Sequence, residues 1–132
     1  MLIKTLKIGC YMKPSAGELE ILQILWKNGE MTVKEVNEVI NKVKESGYTT
    51  TLKTMQIMFE KKFLSRQPLG RSHVYKVEIT EKDTKNDLLD KFIASTYNGS
   101  TMKLVMQALG NSKASKEELD QIRELLDDLD KK

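Results

Sequence analysis

A chain of 132 residues, 39% hydrophobic and 31% charged, has room for one domain with a modest appendage and suits a helix-rich soluble protein. No apolar run approaches the ~20 residues of a membrane span, the single cysteine, Cys10, excludes an internal disulfide, and one histidine, His73, leaves no Cys/His zinc set. The net charge of +3 is unevenly spread: residues 1–79 carry 13 basic and 8 acidic side chains, residues 80–132 carry 9 and 11, and residues 46–76 hold 6 cations against the single acid Glu60. A reducing cytoplasm is the expected compartment, with neither metal nor cofactor.

Met1 to Met12, MLIKTLKIGCYM, has too short an apolar core and no small-residue cleavage site for a secretory signal. It reads as an N-terminal extension (1–12) or as sequence ahead of a start at Met12. Ser15 to Asn28 is a predicted helix, opened by a capping box from Ser15 to Glu18, with Leu19, Leu22, Ile24, Leu25 and Trp26 as its apolar face and Asn28-Gly29 as its stop. Trp26 lies on that stripe and reads as a core anchor. A second helix covers Thr32 to Val43, with a capping box from Thr32 to Glu35 and Val33, Val36, Val39, Ile40 and Val43 on one side. Only Lys44 to Tyr48 separates it from the next, with Gly47 as the flexible position.

Tyr48 to Leu64 organises the rest. Leu52, Met55, Met58, Phe59 and Phe63 recur at helical spacing and form a core stripe, while Thr50, Thr51, Lys53, Thr54, Ile57 and Lys61 fall on the other side. The run of threonines favours a helix start, since a hydroxyl caps free N–H groups. An outer face of hydroxyls and cations is ordinarily a solvated one, but here it follows a short turn after another helix, the arrangement of a helix-turn-helix. Leu64 to Leu69 and His73 to Ile79 then read as two strands, with Tyr75, Val77 and Ile79 alternating and Gly70-Arg71-Ser72 as the turn. Together they predict a winged helix over 13–79: mainly α, with a small β-hairpin as the wing. Hydroxyls and cations on its outer helix face and wing tip suit phosphates and base edges. His73 reads as an inert wing residue.

Residues 80–132 read as a helical dimerisation region. Thr80 caps a helix to about Tyr97, with Leu88, Leu89, Phe92, Ile93 and Tyr97 apolar, and Asn98-Gly99 ends it. Ser100 or Thr101 opens a helix through Leu109, with Met102, Val105, Met106 and Leu109 apolar and Gly110 as its stop. Ser115 begins the last, by a third capping box to Glu118, with Leu119, Ile122, Leu126 and Leu129 in line and Leu125 beside them. These stripes need a covering surface; a second copy of the chain is the economical one, and folding back onto the same chain is the alternative.

The strings SAGELEILQILW, YTTTLKTM and GRSHVYKV resemble the bacterial family of penicillinase and methicillin-resistance repressors, which also includes copper-responsive repressors, and the resemblance runs from Lys13 to Lys132. It implies a homodimeric repressor that binds a palindromic operator of double-stranded DNA; the mechanism expected of such a dimer is occlusion of the promoter. It places the DNA contacts of the second motif helix on Thr51, Lys53 and Thr54, with Thr50 and Lys61 nearby, and those of the wing on Arg71 and its neighbour Ser72. The dimer interface it implies draws on the helices holding Leu88, Leu89, Phe92, Ile93, Met102, Met106, Leu119, Ile122, Leu126 and Leu129. Two departures bear on regulation. Family members tied to β-lactam sensing are cut at a site resembling an Asn-Phe bond, where this chain has Gln107-Ala108, and the tail DLDKK lacks the cysteines of the copper-responsive branch. The inducer stays open. Other classes are a protein-interaction module built on the winged helix, a small-molecule sensor with a pocket near Phe92, Met102 and Met106, and, weakest, an enzyme, for which no nucleophile–histidine pair or glycine-rich phosphate loop is present.

Overall fold

The computed structural model describes residues 13–131; the expected N-terminal extension lies outside them. Its elements are α1 (Ala16–Asn28), β1 (Met31–Thr32), α2 (Val33–Asn41), α3 (Tyr48–Glu60), β2 (Leu64–Leu69), β3 (Ser72–Val77), α4 (Glu81–Thr96), α5 (Thr101–Asn111) and α6 (Lys116–Asp130). The chain divides into two compact units, Met1–Leu89 and Asp90–Lys132, with α4 running through the division. No described helix is long and apolar enough to cross a membrane.

The first unit is a helix-turn-helix backed by a small sheet. Its core collects Ile21, Leu22 and Leu25 from α1, Val33, Val36 and Ile40 from α2, Met55 and Met58 from α3, and Phe63, Leu64 and Tyr75 from the sheet side. Burying each large apolar side chain contributes roughly 1.5–3 kcal/mol, so this cluster fixes how α3 is rolled. All three expected capping boxes are present, at Ser15/Glu18, Thr32/Glu35 and Ser115/Glu118. Trp26 is half-buried and its Nε1–H donates to the Ile79 carbonyl at 3.0 Å, giving the indole the polar partner burial demands.

β2 and β3 form the antiparallel hairpin, in register from Leu64 opposite Val77 to Leu69 opposite Ser72. Gly70, with φ of 61°, occupies the first position of the Gly70-Arg71 loop, where a two-residue hairpin needs positive φ. Pro68 is tolerated because β2 lies at the sheet edge. A third strand escaped the sequence: β1 pairs with β3, Met31 opposite Tyr75 and Thr32 opposite Val74. Two residues are too few to display an alternating pattern.

Other boundaries moved for local reasons. α2 stops at Asn41, leaving Val43 86% exposed rather than in the core. The Asn41 amide takes over the chain there: it donates to the Asn37 and Ser46 carbonyls at 2.8 and 2.9 Å, and its Oδ1 accepts the Ser46 N–H at 3.1 Å. Gly47 is the N-cap of α3 in ordinary extended conformation, and the threonines after it make no capping bond. α5 passes through Gly110 to Asn111 instead of stopping at it. α4 ends as expected, with Asn98 and Gly99 at φ of 52° and 83°.

α3 ends in a Schellman motif, with Phe63 N–H donating to the Met58 carbonyl at 2.9 Å and Lys62 N–H to the Phe59 carbonyl at 3.0 Å. The left-handed position of that motif is usually glycine, but here it is Lys62, at φ of 71°. A non-glycine residue there costs roughly 1–2 kcal/mol, part of which glycine returns through its freer unfolded chain. Lys62→Gly is therefore expected to raise the free energy of unfolding by about 0.5–1 kcal/mol. Urea denaturation without DNA measures it, and a loss of stability would show that the lysine side chain contributes more than its backbone strain costs.

Candidate nucleic-acid interface

The inner face of α3 is set by three buried residues, Thr51, Met55 and Met58. At 100° per residue, the direction opposite them holds Thr49, Lys53 and Glu60, flanked by Thr50 and Ile57 on one side and Gln56 on the other. All six are exposed, Ile57 at 39%. Thr50 and Lys53 of the sequence-derived set are on this face. Thr49, Gln56 and Glu60 were missed, although the helical spacing from Met55 and Met58 was sufficient to place them.

Three of the expected contacts are spent inside the protein. Thr51 is 2% exposed, and its hydroxyl donates to Asn37 Oδ1 of α2 at 2.7 Å, so it joins the two motif helices and is removed from the outer face. Thr54 is half-buried with its hydroxyl donating to the Thr50 carbonyl at 3.0 Å, one turn back in the same helix. Lys61 is held by Glu18: its Nζ lies 3.1 Å from Oε1 and 2.8 Å from Oε2. Glu18 is 5% exposed and also closes the capping box of α1 by accepting the Ser15 N–H, so one buried carboxylate anchors both helices. The periodic pattern put Lys61 near the edge of the outer face; the unbalanced charge of buried Glu18 draws it back.

The wing is attached to α3 through Arg66. Its guanidinium lies 4.0 Å from the centroid of the Phe59 ring and Nη1 donates to the Tyr75 hydroxyl at 3.4 Å, so this cation too is partly committed. His73 packs edge-on to Tyr75 with ring centroids 6.4 Å apart. At the hairpin tip Arg71 and Ser72 are exposed, beside Leu69 at 55% exposure, and the Ser72 hydroxyl donates to the Leu69 carbonyl at 3.4 Å. Lys53 on α3, Lys62 just after it, and Arg71 and Lys76 on the wing thus remain as exposed cations without an ion-pair partner among the described residues.

In the second unit, Phe92, Met102, Met106, Leu126 and Leu129 are exposed at between 49% and 66%. Ile93 departs from the expected interface set, being only 6% exposed, and Ile122 is half-buried; Leu119 is at the margin with 36%. Leu88 is half-buried and Leu89 47% exposed at the end of the first unit. Val105, Leu109 and Leu125 extend the exposed apolar surface. Gln107 and Ala108 lie within α5, and the Tyr97 hydroxyl donates to Gln107 Oε1 at 3.3 Å. Among the described residues no group of His, Cys, Asp and Glu is arranged to hold a metal ion.

The sequence is similar to those of known repressors. The sequence profile of the penicillinase repressor family matches residues 14–128. A penicillinase repressor of Bacillus licheniformis is 29% identical over 115 residues, covering 86% of this chain and 89% of the relative. One from Staphylococcus aureus is 25% identical over 118 residues, covering 89% and 94%. The methicillin resistance regulatory protein MecI of S. aureus strain N315 is 23% identical over 112 residues, covering 85% and 91%. Among solved structures, the DNA-binding domain of the repressor BlaI is 27% identical, with a TM-score of 0.49, over 54% of this chain and 89% of that one. With a profile match running from the residue before the first capping box into the last helix, over a helix-turn-helix and a β-hairpin wing, the chain belongs to the penicillinase repressor family of winged-helix transcriptional repressors.

Proposed function

We propose that the chain works in the cytoplasm as a homodimer that binds a palindromic operator and represses by occluding the promoter. The observation that carries this reading is the outward face of α3, polar throughout except for Ile57 and centred on Lys53, with Arg71 exposed at the wing tip. Such a helix enters the major groove with hydroxyls and cations toward phosphates and base edges, while the wing meets neighbouring backbone. The exposed apolar residues of α5 and α6 support the dimer, since Met and Leu side chains in such numbers are costly to leave in water. Two half-sites then bind cooperatively through one assembly, and no catalytic step is needed.

Salt dependence separates the lysines. A phosphate-contacting cation contributes about 0.9 to the slope of log affinity against log salt, and twice that when both protomers contribute. Lys53→Ala should therefore weaken operator binding and flatten the slope by roughly 1–2. Lys61→Met should leave the slope unchanged while lowering stability by about 1–3 kcal/mol, because it strands the buried Glu18 carboxylate. Fluorescence anisotropy at several salt concentrations, paired with urea denaturation, distinguishes them. A flattened slope for Lys61→Met would return that lysine to the DNA.

For the dimer, a charge placed in the exposed apolar surface should separate the protomers without unfolding them. Met106→Glu combined with Leu126→Glu is expected to give monomers by sedimentation equilibrium, with helical circular dichroism retained and operator affinity reduced at least tenfold. An unchanged dimer would move the interface elsewhere.

A further inference from the structure

We infer that Gln56 and Ile57 are specificity-determining residues that together read adenine and thymine in each half-site; this rests on the repressor reading above. Both are exposed on α3, one on each flank of the Lys53 line, Gln56 on the side away from Met58 and Ile57 on the side away from Met55. The Gln56 amide is exposed and has no hydrogen-bonding partner among the described residues. Thr54, Lys61 and Arg66 are bound within the protein, whereas this amide is free to bond outward. Its acceptor and donors match the N6 donor and N7 acceptor that adenine presents in the major groove. Guanine offers two acceptors there, and the glutamine oxygen would face one of them unpaired.

Ile57 adds a group of the opposite character. Its side chain is 39% exposed on an otherwise polar face, away from the core stripe of its own helix. In a major groove, the apolar feature available to cover it is the thymine C5 methyl. About 100° apart, on either flank of the Lys53 line, the two side chains reach separate positions of one half-site, so an adenine and a thymine are each selected there. Glu60, one turn further on the same exposed face, repels phosphate and marks where the reading ends.

The test begins with selection of bound sequences from a randomised duplex pool by the full-length protein. A pool that yields no enriched sequence overturns the repressor reading itself, and this inference with it. With an enriched duplex in hand, each adenine is replaced in turn by 7-deazaadenine, which lacks only the N7 acceptor, and each thymine by uracil, which lacks only the methyl. One adenine position per half-site should lose about 2- to 10-fold in affinity on replacement, the range for one hydrogen bond. One thymine at a separate position of the same half-site should lose roughly fourfold, the value of one buried methyl. Gln56→Ala should bind the adenine and 7-deazaadenine duplexes equally, and Ile57→Ala the thymine and uracil duplexes equally. Because each comparison is made within one variant, a general loss of stability does not imitate the result. Wild-type indifference to both replacements, or variants as sensitive as the wild type, overturns the inference while leaving the repressor reading intact.

Discussion

The structure depends on the roll of α3 about its own axis. Met55, Met58 and Thr51 point into a core built by α1, α2 and the sheet, and every outward residue of the helix is placed by that choice. A rotation of one residue, 100°, would bury Gln56 and swing Met58 to the exposed place of Ile57, so the apolar stripe admits one arrangement. The candidate DNA face is therefore a by-product of packing. What reaches outward is whatever the core does not take.

Apolar packing is non-directional, and polar bonds supply the direction. Thr51 ties α3 to α2 through Asn37, Asn41 ties the end of α2 to Ser46 before α3 begins, Glu18 ties the far end of α3 to α1 through Lys61, and Arg66 ties the wing to Phe59. Each of these side chains could have been exposed and hydrated. Their use inside the protein explains why the exposed cations are fewer than the local charge suggests. Six basic residues lie between positions 46 and 76, yet Lys61 is paired and Arg66 is stacked. The field over the candidate interface is correspondingly set by the four cations left over, Lys53, Lys62, Arg71 and Lys76.

Periodicity and end signals made most of the fold legible. The three capping boxes, the turn at Gly70 and the helix end at Asn98-Gly99 are local devices, written in a few consecutive residues, and all are where the sequence put them. Long-range choices were not legible. Nothing local says that Lys61 will be drawn to a carboxylate 43 positions earlier, or that Met31-Thr32 will pair with Val74 and Tyr75. Thr51 shows the limit most sharply: a small hydroxyl residue fits a capping site, a phosphate contact or a buried interhelical bond, and only the partner Asn37 decides. The resemblance to the family put Thr51 among the contacts and Lys61 beside them for the same reason, since a matching string transfers position without transferring partners.

The two units stand differently toward water. In the first, large apolar side chains are mostly enclosed; in the second, Ile93 is the buried hydrophobe among the described residues, while Met102, Met106, Leu125, Leu126 and Leu129 are each more than half exposed. The helices that bear them are nonetheless well specified, by the Ser100 and Ser115 caps and the i,i+4 pair Lys116–Asp120. A surface pair of that kind contributes only about 0.3–0.5 kcal/mol, and a cap typically about 1 kcal/mol, which define helix ends without covering a helix face. Covering it with a second copy would give this unit most of its stability by association. Operator occupancy would then vary with chain concentration more steeply than a monomer's, because free protomers must first pair.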